Sequence, residues 1–124
     1  MKFTLADAHR YWWPVPVKIP HPTTAGAIET QTLKIQFEPQ GQDQALEALE
    51  RYEGLTSLRA RAEHERDQLM AVVRNWDDVV DDEGGAIGFS EEMLRKALQA
   101  SWFRSAVFEA YNQSLLGQEA RLGN

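Results

Sequence analysis

The residues best suited to chemistry lie between Trp76 and Ser90, where the chain reads WDDVVDDEGGAIGFS. Asp77, Asp78, Asp81, Asp82 and Glu83 are the hard oxygen donors that a divalent cation takes from a flexible loop. Their spacing argues against that use. With Gly84 at the glycine position of an EF-hand loop, Val79 falls at the first ligand position and Ser90 at the last, and neither brings a carboxylate. Gly84, Gly85 and Gly88 precede a helix start, where backbone N–H groups attract anions. No Lys follows them, and the five carboxylates upstream would repel a phosphate. His9, His21 and His64 include no pair at helical ligand spacing, and zero cysteines remove thiol nucleophiles and thiolate metal sites. The serines at 57, 90, 101, 105 and 114 lack a nucleophile-elbow context. The sequence therefore predicts no catalytic, cofactor-binding or metal-ligating residue and no enzyme. The acidic run reads as a solvated connector over 77–89.

The elements around that connector follow from hydrophobic periodicity. From Tyr11 to Ile19, Trp13, Val15, Val17 and Ile19 alternate with Trp12, Pro14, Pro16 and Lys18, the period of a strand. Its prolines cannot donate ladder hydrogen bonds, which places it at a sheet edge. From Ile28 to Glu38, Leu33, Ile35 and Phe37 alternate with polar residues, and the Pro, Thr and Gly between the two runs supply a turn. The expectation is a β-hairpin over 11–38. Beyond Pro39 and Gly41 the composition shifts to Ala, Leu, Glu, Arg and Gln, and a helical segment is expected over 43–76 with Asp43 as its N-cap. Two apolar stripes run through it, Ala45–Ala48–Tyr52–Leu55 and Leu58–Ala62–Leu69–Val72–Trp76. They do not share a register, so Gly54, Thr56 and Ser57 mark a break or kink. C-terminal helices are expected over 90–117, capped by Ser90 and Ser101, with Trp102, Phe103, Ala106, Val107, Ala110, Tyr111 and Leu115 as an apolar stripe and a polar tail beyond Gly117. Trp76, Trp102 and Tyr111 are expected in a shared helical core with Leu94 and Leu98.

The fold class is therefore α+β: one mainly α-helical domain, 1–124, with an N-terminal β-hairpin. Asn75 to Glu92 holds seven carboxylates and no Lys or Arg, so it carries −7 and the remainder +1 of the net −6. That balance disfavours a nucleic-acid partner, whose phosphates need clustered basic residues. No apolar run approaches the roughly 20 residues of a membrane span, and Asp7, His9 and Arg10 interrupt any signal-like core, which predicts a cytoplasmic protein with no membrane partner. Trp12 and Trp13 are adjacent, so a strand sends them to opposite faces and leaves one free to meet a partner.

Taken in order, the hairpin with VPVKIP, the strand ending in Phe37, the polar helices closing on Trp76, the Asp/Gly connector into Phe89–Ser90, and the last helix bearing Ala106 and Tyr111 before Gly117 resemble the tail assembly chaperones of long-tailed bacteriophages. The likeness runs from Tyr11 to Asn124. It departs at the doubled Gly84–Gly85 and at the Leu-Gly-Asn end, where a more basic terminus is common. The resemblance implies a prophage or phage protein working in the cytoplasm of the bacterial host. Such a protein binds the tape measure protein, keeps it soluble and helps recruit tail tube protein, with no cofactor. A homo-oligomer stays open. The expected partner contacts are Trp12 and Trp13 on the hairpin and Leu58, Ala62 and Leu69 on the helix around Ala62. Two other readings remain: a structural tail or head-tail connector protein retained in the virion, and a carboxylate-dependent enzyme.

Overall fold

A computed structural model describes residues 1–121; the last three residues of the polar tail, 122–124, lie outside the described residues. The chain forms an α+β domain in the order β1 (Tyr11–Pro20), β2 (Ile28–Phe37), α1 (Gln42–Glu53), α2 (Leu58–Val72), β3 (Val73–Asp77), α3 (Glu91–Ala97) and α4 (Ser101–Ser114). The strands make one antiparallel sheet in the order β1-β2-β3, so the proline-bearing strand is an edge. The hairpin closes where the His21 N–H donates to the Ala27 carbonyl at 2.8 Å. Within the turn, His21 Nδ1 accepts from the Thr23 and Thr24 N–H groups, and Gly26 takes a φ of 77° that a Cβ would oppose.

Alternation fixes which face is buried. Trp13↔Ile35 and Val15↔Leu33 face each other across the pair, and Val15, Val17, Leu33, Ile35 and Phe37 are buried on one side. Helix α4 lies across β1 on that side with Ala106, Val107 and Ala110 buried, while Leu94 and Leu98 from the α3 region complete the core. Leu94, Leu98 and Tyr111 thus sit in or against the core as their spacing predicts. Trp102 does not: it is 44% exposed on the flank of α4.

The segment expected to be helical through Trp76 switches to strand at Val73. Lys34↔Asp77, Ile35↔Trp76 and Gln36↔Asn75 pair across β2 and β3, and a bulge shifts the register to Phe37↔Val73. Leu69, Val72 and Trp76 keep three- and four-residue spacing, and a bulged five-residue strand is too short to impose a visible period of two. The free valence of β2 decides the conformation of this stretch.

The joints are built from side chains. The helical segment breaks at Gly54, as its registers predict, and Ser57 Oγ accepts the Ala60 N–H at 2.9 Å to start α2. Ser90 Oγ likewise accepts from Met93 at 3.0 Å, with Glu91 and Glu92 in the first turn of α3. Asp43 and Ser101 are not caps. Helix α1 begins after Gly41, with Asp43 inside its first turn, and α4 begins after Ala100 without a side-chain cap. Between α3 and α4, Arg104 instead donates to the carbonyls of Leu98 and Gln99 at 2.8 and 2.9 Å, satisfying groups that a helix end leaves free.

Glu38, just past β2, gathers two cations: Arg10 Nε at 2.6 Å and Arg74 at 3.5 Å. The Arg10 hydrogen bond is the main reason its carboxyl lies below the ordinary 4.5; desolvation opposes it and both guanidinium charges assist. A depressed folded pKa means stability fully present above the unfolded value and lost as pH falls through the folded one. Glu38→Gln should therefore reduce the difference in melting temperature between pH 7 and pH 3. Parallel pH–stability curves for the two proteins would refute this linkage.

Candidate functional site

Strand β1 sends its adjacent tryptophans to opposite sides. Trp12 is 46% exposed, whereas Trp13 turns inward against the core, its Nε1 shielded from solvent and unpartnered among the described residues. An aromatic chain continues from Trp13. Tyr11 meets it edge-on at 6.2 Å, Phe37 lies 6.2 Å from Tyr11, and Tyr111 of α4 lies 5.3 Å from Phe37. The hydroxyl of Ser114 donates to the Tyr111 carbonyl, and a hydroxyl has one proton, so the 2.6 Å contact between Tyr11 and Ser114 is donated by the tyrosine. Burial pushes the Tyr111 phenol above its ordinary 10.0, against a smaller opposing pull from a backbone hydrogen bond at Gln40. His9, Tyr11, Trp12, Trp13 and Ser114 line an open cleft of about 320 Å³.

Helix α2 is divided along its length. Leu58, at its start, is 88% exposed, and Ala62, one turn on, is exposed as well. Leu69 is 8% exposed and belongs to the core, so it is removed from the expected partner contacts. Trp13, half-buried, is at most a secondary contact beside Trp12. The same stripe runs outward at one end and inward at the other because only the second half of α2 reaches the sheet, where it continues as β3. Its first half is held by α1. Arg61 donates through Nε to the Leu55 carbonyl at 2.8 Å, its guanidinium carbon lies 5.2 Å from the centre of the Tyr52 ring, and His64 stacks tilted on that ring at 5.9 Å. Sequence reasoning missed this clasp. Arg61 lies nine positions beyond Tyr52, so only the break at Gly54 brings them together.

The acidic connector is an ordered small hairpin. Val80 bridges Ala86, the Asp81 N–H donates to the Gly85 carbonyl at 2.8 Å, and the Ile87 N–H donates to Val79 at 2.8 Å. Asp81 organises it, since Oδ1 accepts from both the Glu83 and Gly85 N–H groups at 2.9 Å. A Cβ on Gly85 would stand 3.0 Å from Asp81 Oδ2, which explains a glycine there, and Gly84 adopts φ 84°. The connector is solvated only in part: its carboxylates are exposed, but Val79, Ile87 and Phe89 pack against the core, Asp81 is committed to backbone donors and Asp78 pairs with Lys34 at 3.2 Å. Among the described residues no three His, Cys, Asp or Glu side chains are placed to hold a metal ion. Another hollow, about 400 Å³, is lined by Glu47, Glu50 and Arg51 of α1 and is open to solvent.

What this surface offers is exposed apolar area. Leu46 and Leu49 of α1, Leu58 of α2, Trp102 and Phe108 of α4, and Trp12 of β1 all face solvent. Isolated exposed apolar side chains are ordinary; these lie on four different elements, and Ile28, Val80, Leu115 and Leu116 are exposed as well. Among the described residues no helix is long and apolar enough to cross a membrane. No family model, no curated protein and no solved structure matches this chain.

Proposed function

We propose that this protein is a tail assembly chaperone of a long-tailed bacteriophage or prophage, acting in the cytoplasm of the bacterial host without catalysis, cofactor, nucleic acid or membrane. It holds the tape measure protein in solution and helps recruit tail tube subunits. The reading expects a mainly α-helical domain with an amino-terminal hairpin, and it rests first on the resemblance that runs from the Tyr11 strand to the Gly117 helix end. The observation that carries it is the exposed apolar area at Trp12, along α1 and at the start of α2, where Arg61 is already committed to the Leu55 carbonyl. A long helical client aggregates through its apolar stripe, and aromatic and leucine side chains cover such a stripe at low entropic cost. The net charge of −6 keeps the complex dispersed.

The test is co-expression with the longest helical protein encoded next to it. Soluble yield of that client should rise several-fold, and the complex should survive about 0.5 M salt, where exposed charge pairs are screened. Trp12→Ala combined with Leu58→Ala should lower the client's soluble yield while leaving the chaperone's own melting temperature nearly unchanged, since both side chains are exposed. A client equally insoluble with and without this protein rules out the chaperone role. A client equally soluble with the double variant rules out these two contacts.

A further inference from the structure

The sheet has two edges, and the chain treats them differently. The His21–Ala27 bond makes that pair a hydrogen-bonded one, so odd-numbered residues of β1 and β2 exchange their backbone bonds across the hairpin. Even-numbered residues direct theirs outward. On β1 the outward positions are Trp12, Pro14, Pro16, Lys18 and Pro20, and three of those five carry no N–H. That edge is blunted against strand addition. On β2 the outward positions face β3, but β3 pairs only with Lys34–Phe37. Ile28, Thr30 and Thr32 are exposed, and among the described residues no backbone or side-chain group on that side bonds to their main chain. This half of the edge has neither a neighbour nor a proline.

The open edge has a charged end. Strand β3 runs toward it and stops at Asp77, opposite Lys34, because Asp78 takes a φ of 64° and turns the chain out of the sheet. Asp77 and Asp78 therefore stand at the head of the Ile28–Thr32 edge, in a stretch with seven carboxylates and no basic residue of its own. Lys34 reaches Asp78 alone, at 3.2 Å. We propose that this edge accepts an extended segment of a partner protein as an added strand antiparallel to β2. A Lys or Arg at the segment's amino-terminal end would rest against Asp77, beside the Asp78–Lys34 pair. The direction follows from β3, whose course the added strand prolongs; main-chain bonds to Thr30 and Thr32 supply the docking, and the carboxylates supply the choice of partner. A second copy fits poorly. Pairing two β2 edges about a two-fold axis uses only this five-residue edge, which buries far less than the roughly 1,200 Å² of a stable interface. The seat uses neither Trp12 nor α1 and α2, so it does not depend on the chaperone reading.

The probe is the end-blocked peptide Lys-Arg-Val-Thr-Val-Thr-Val, titrated to about 1 mM into the full-length ¹⁵N-labelled protein. Amide exchange at Thr30 and Thr32 should slow by about tenfold or more, while exchange on the β1 side stays unchanged. A peptide beginning Glu-Glu should bind at least about tenfold more weakly. Thr30→Pro removes one outward N–H, as the prolines of β1 already do, and should abolish binding with the hairpin's spectrum retained. Exchange protection needs no variant, so the test stands even where Thr30→Pro perturbs the hairpin. Unaltered exchange at both threonines, equal binding of the acidic peptide, or undiminished binding by a folded Thr30→Pro protein would each overturn the proposal. Concentration-dependent protection of Thr30 without peptide would do so too, by making a second copy the occupant.

Discussion

Trp76→Ala should lower stability by about 3–5 kcal/mol in urea unfolding, and Trp102→Ala by less than about 1 kcal/mol. Both tryptophans follow apolar spacing in the chain, yet their surroundings differ. Trp76 is 6% exposed, pairs with Ile35 across the sheet, meets Phe89 edge-on at 5.4 Å, and donates its indole N–H to the Ile87 carbonyl at 2.8 Å. Truncation there opens a cavity, deprives the Ile87 carbonyl of its donor, and frees the exit of the acidic hairpin from the sheet. Against a total stability of about 5–15 kcal/mol for a domain, this is a large share. Trp102 packs one flank only and loses little transfer free energy. Equal losses at the two positions, or a larger one at Trp102, would show that α4 is rotated about its axis so that Trp102 faces the core.

Val107→Asp should leave no cooperatively folded protein at pH 7, by circular dichroism and thermal melting, while Val107→Ala folds. Val107 is 0% exposed, on the line where α4 crosses the inner face of the sheet, among apolar neighbours that offer no cation. An isolated carboxylate there costs several kcal/mol or is forced to protonate. The sign with pH follows from that choice. Burial raises the folded pKa of an introduced carboxyl, so the penalty is greatest above the raised value and shrinks as pH falls toward the ordinary Asp range. Relative to the native protein at each pH, the variant should therefore regain structure on mild acidification. A normal melting transition at pH 7 would mean that α4 is not docked on the sheet through this residue.

Legibility in the chain varied by element. Strands β1 and β2 were visible because their alternation cannot be shifted by one position without exposing Val15, Val17, Leu33, Ile35 and Phe37, which are buried on one face. Ser90 announced α3 because a cap is a local hydrogen bond, made between residues three apart. Strand β3 was hidden, since its identity comes from a free side of β2 more than thirty residues away. Trp102 was misplaced for a related reason. A wide apolar stripe says that a helix is buried, but which edge of the stripe is left in water depends on how the helix lies on its neighbour. Exposure along α2 also depended on packing: Leu58 and Ala62 lie in water, while Leu69 of the same stripe became core once the end of α2 was drawn into the sheet.

By itself, then, the sequence determined the α+β class, the hairpin and its blunted edge, the break at Gly54, and the placement of nearly all net charge in one stretch. Each of these rests on backbone chemistry or periodicity within a few residues. Only tertiary structure decided that the acidic stretch is a hairpin held by Asp81, that Trp76 faces the core from a strand, and that half of β2 keeps an unpaired edge. Those outcomes depend on which distant segment arrives to satisfy a donor or cover an apolar face, and no local pattern records that choice.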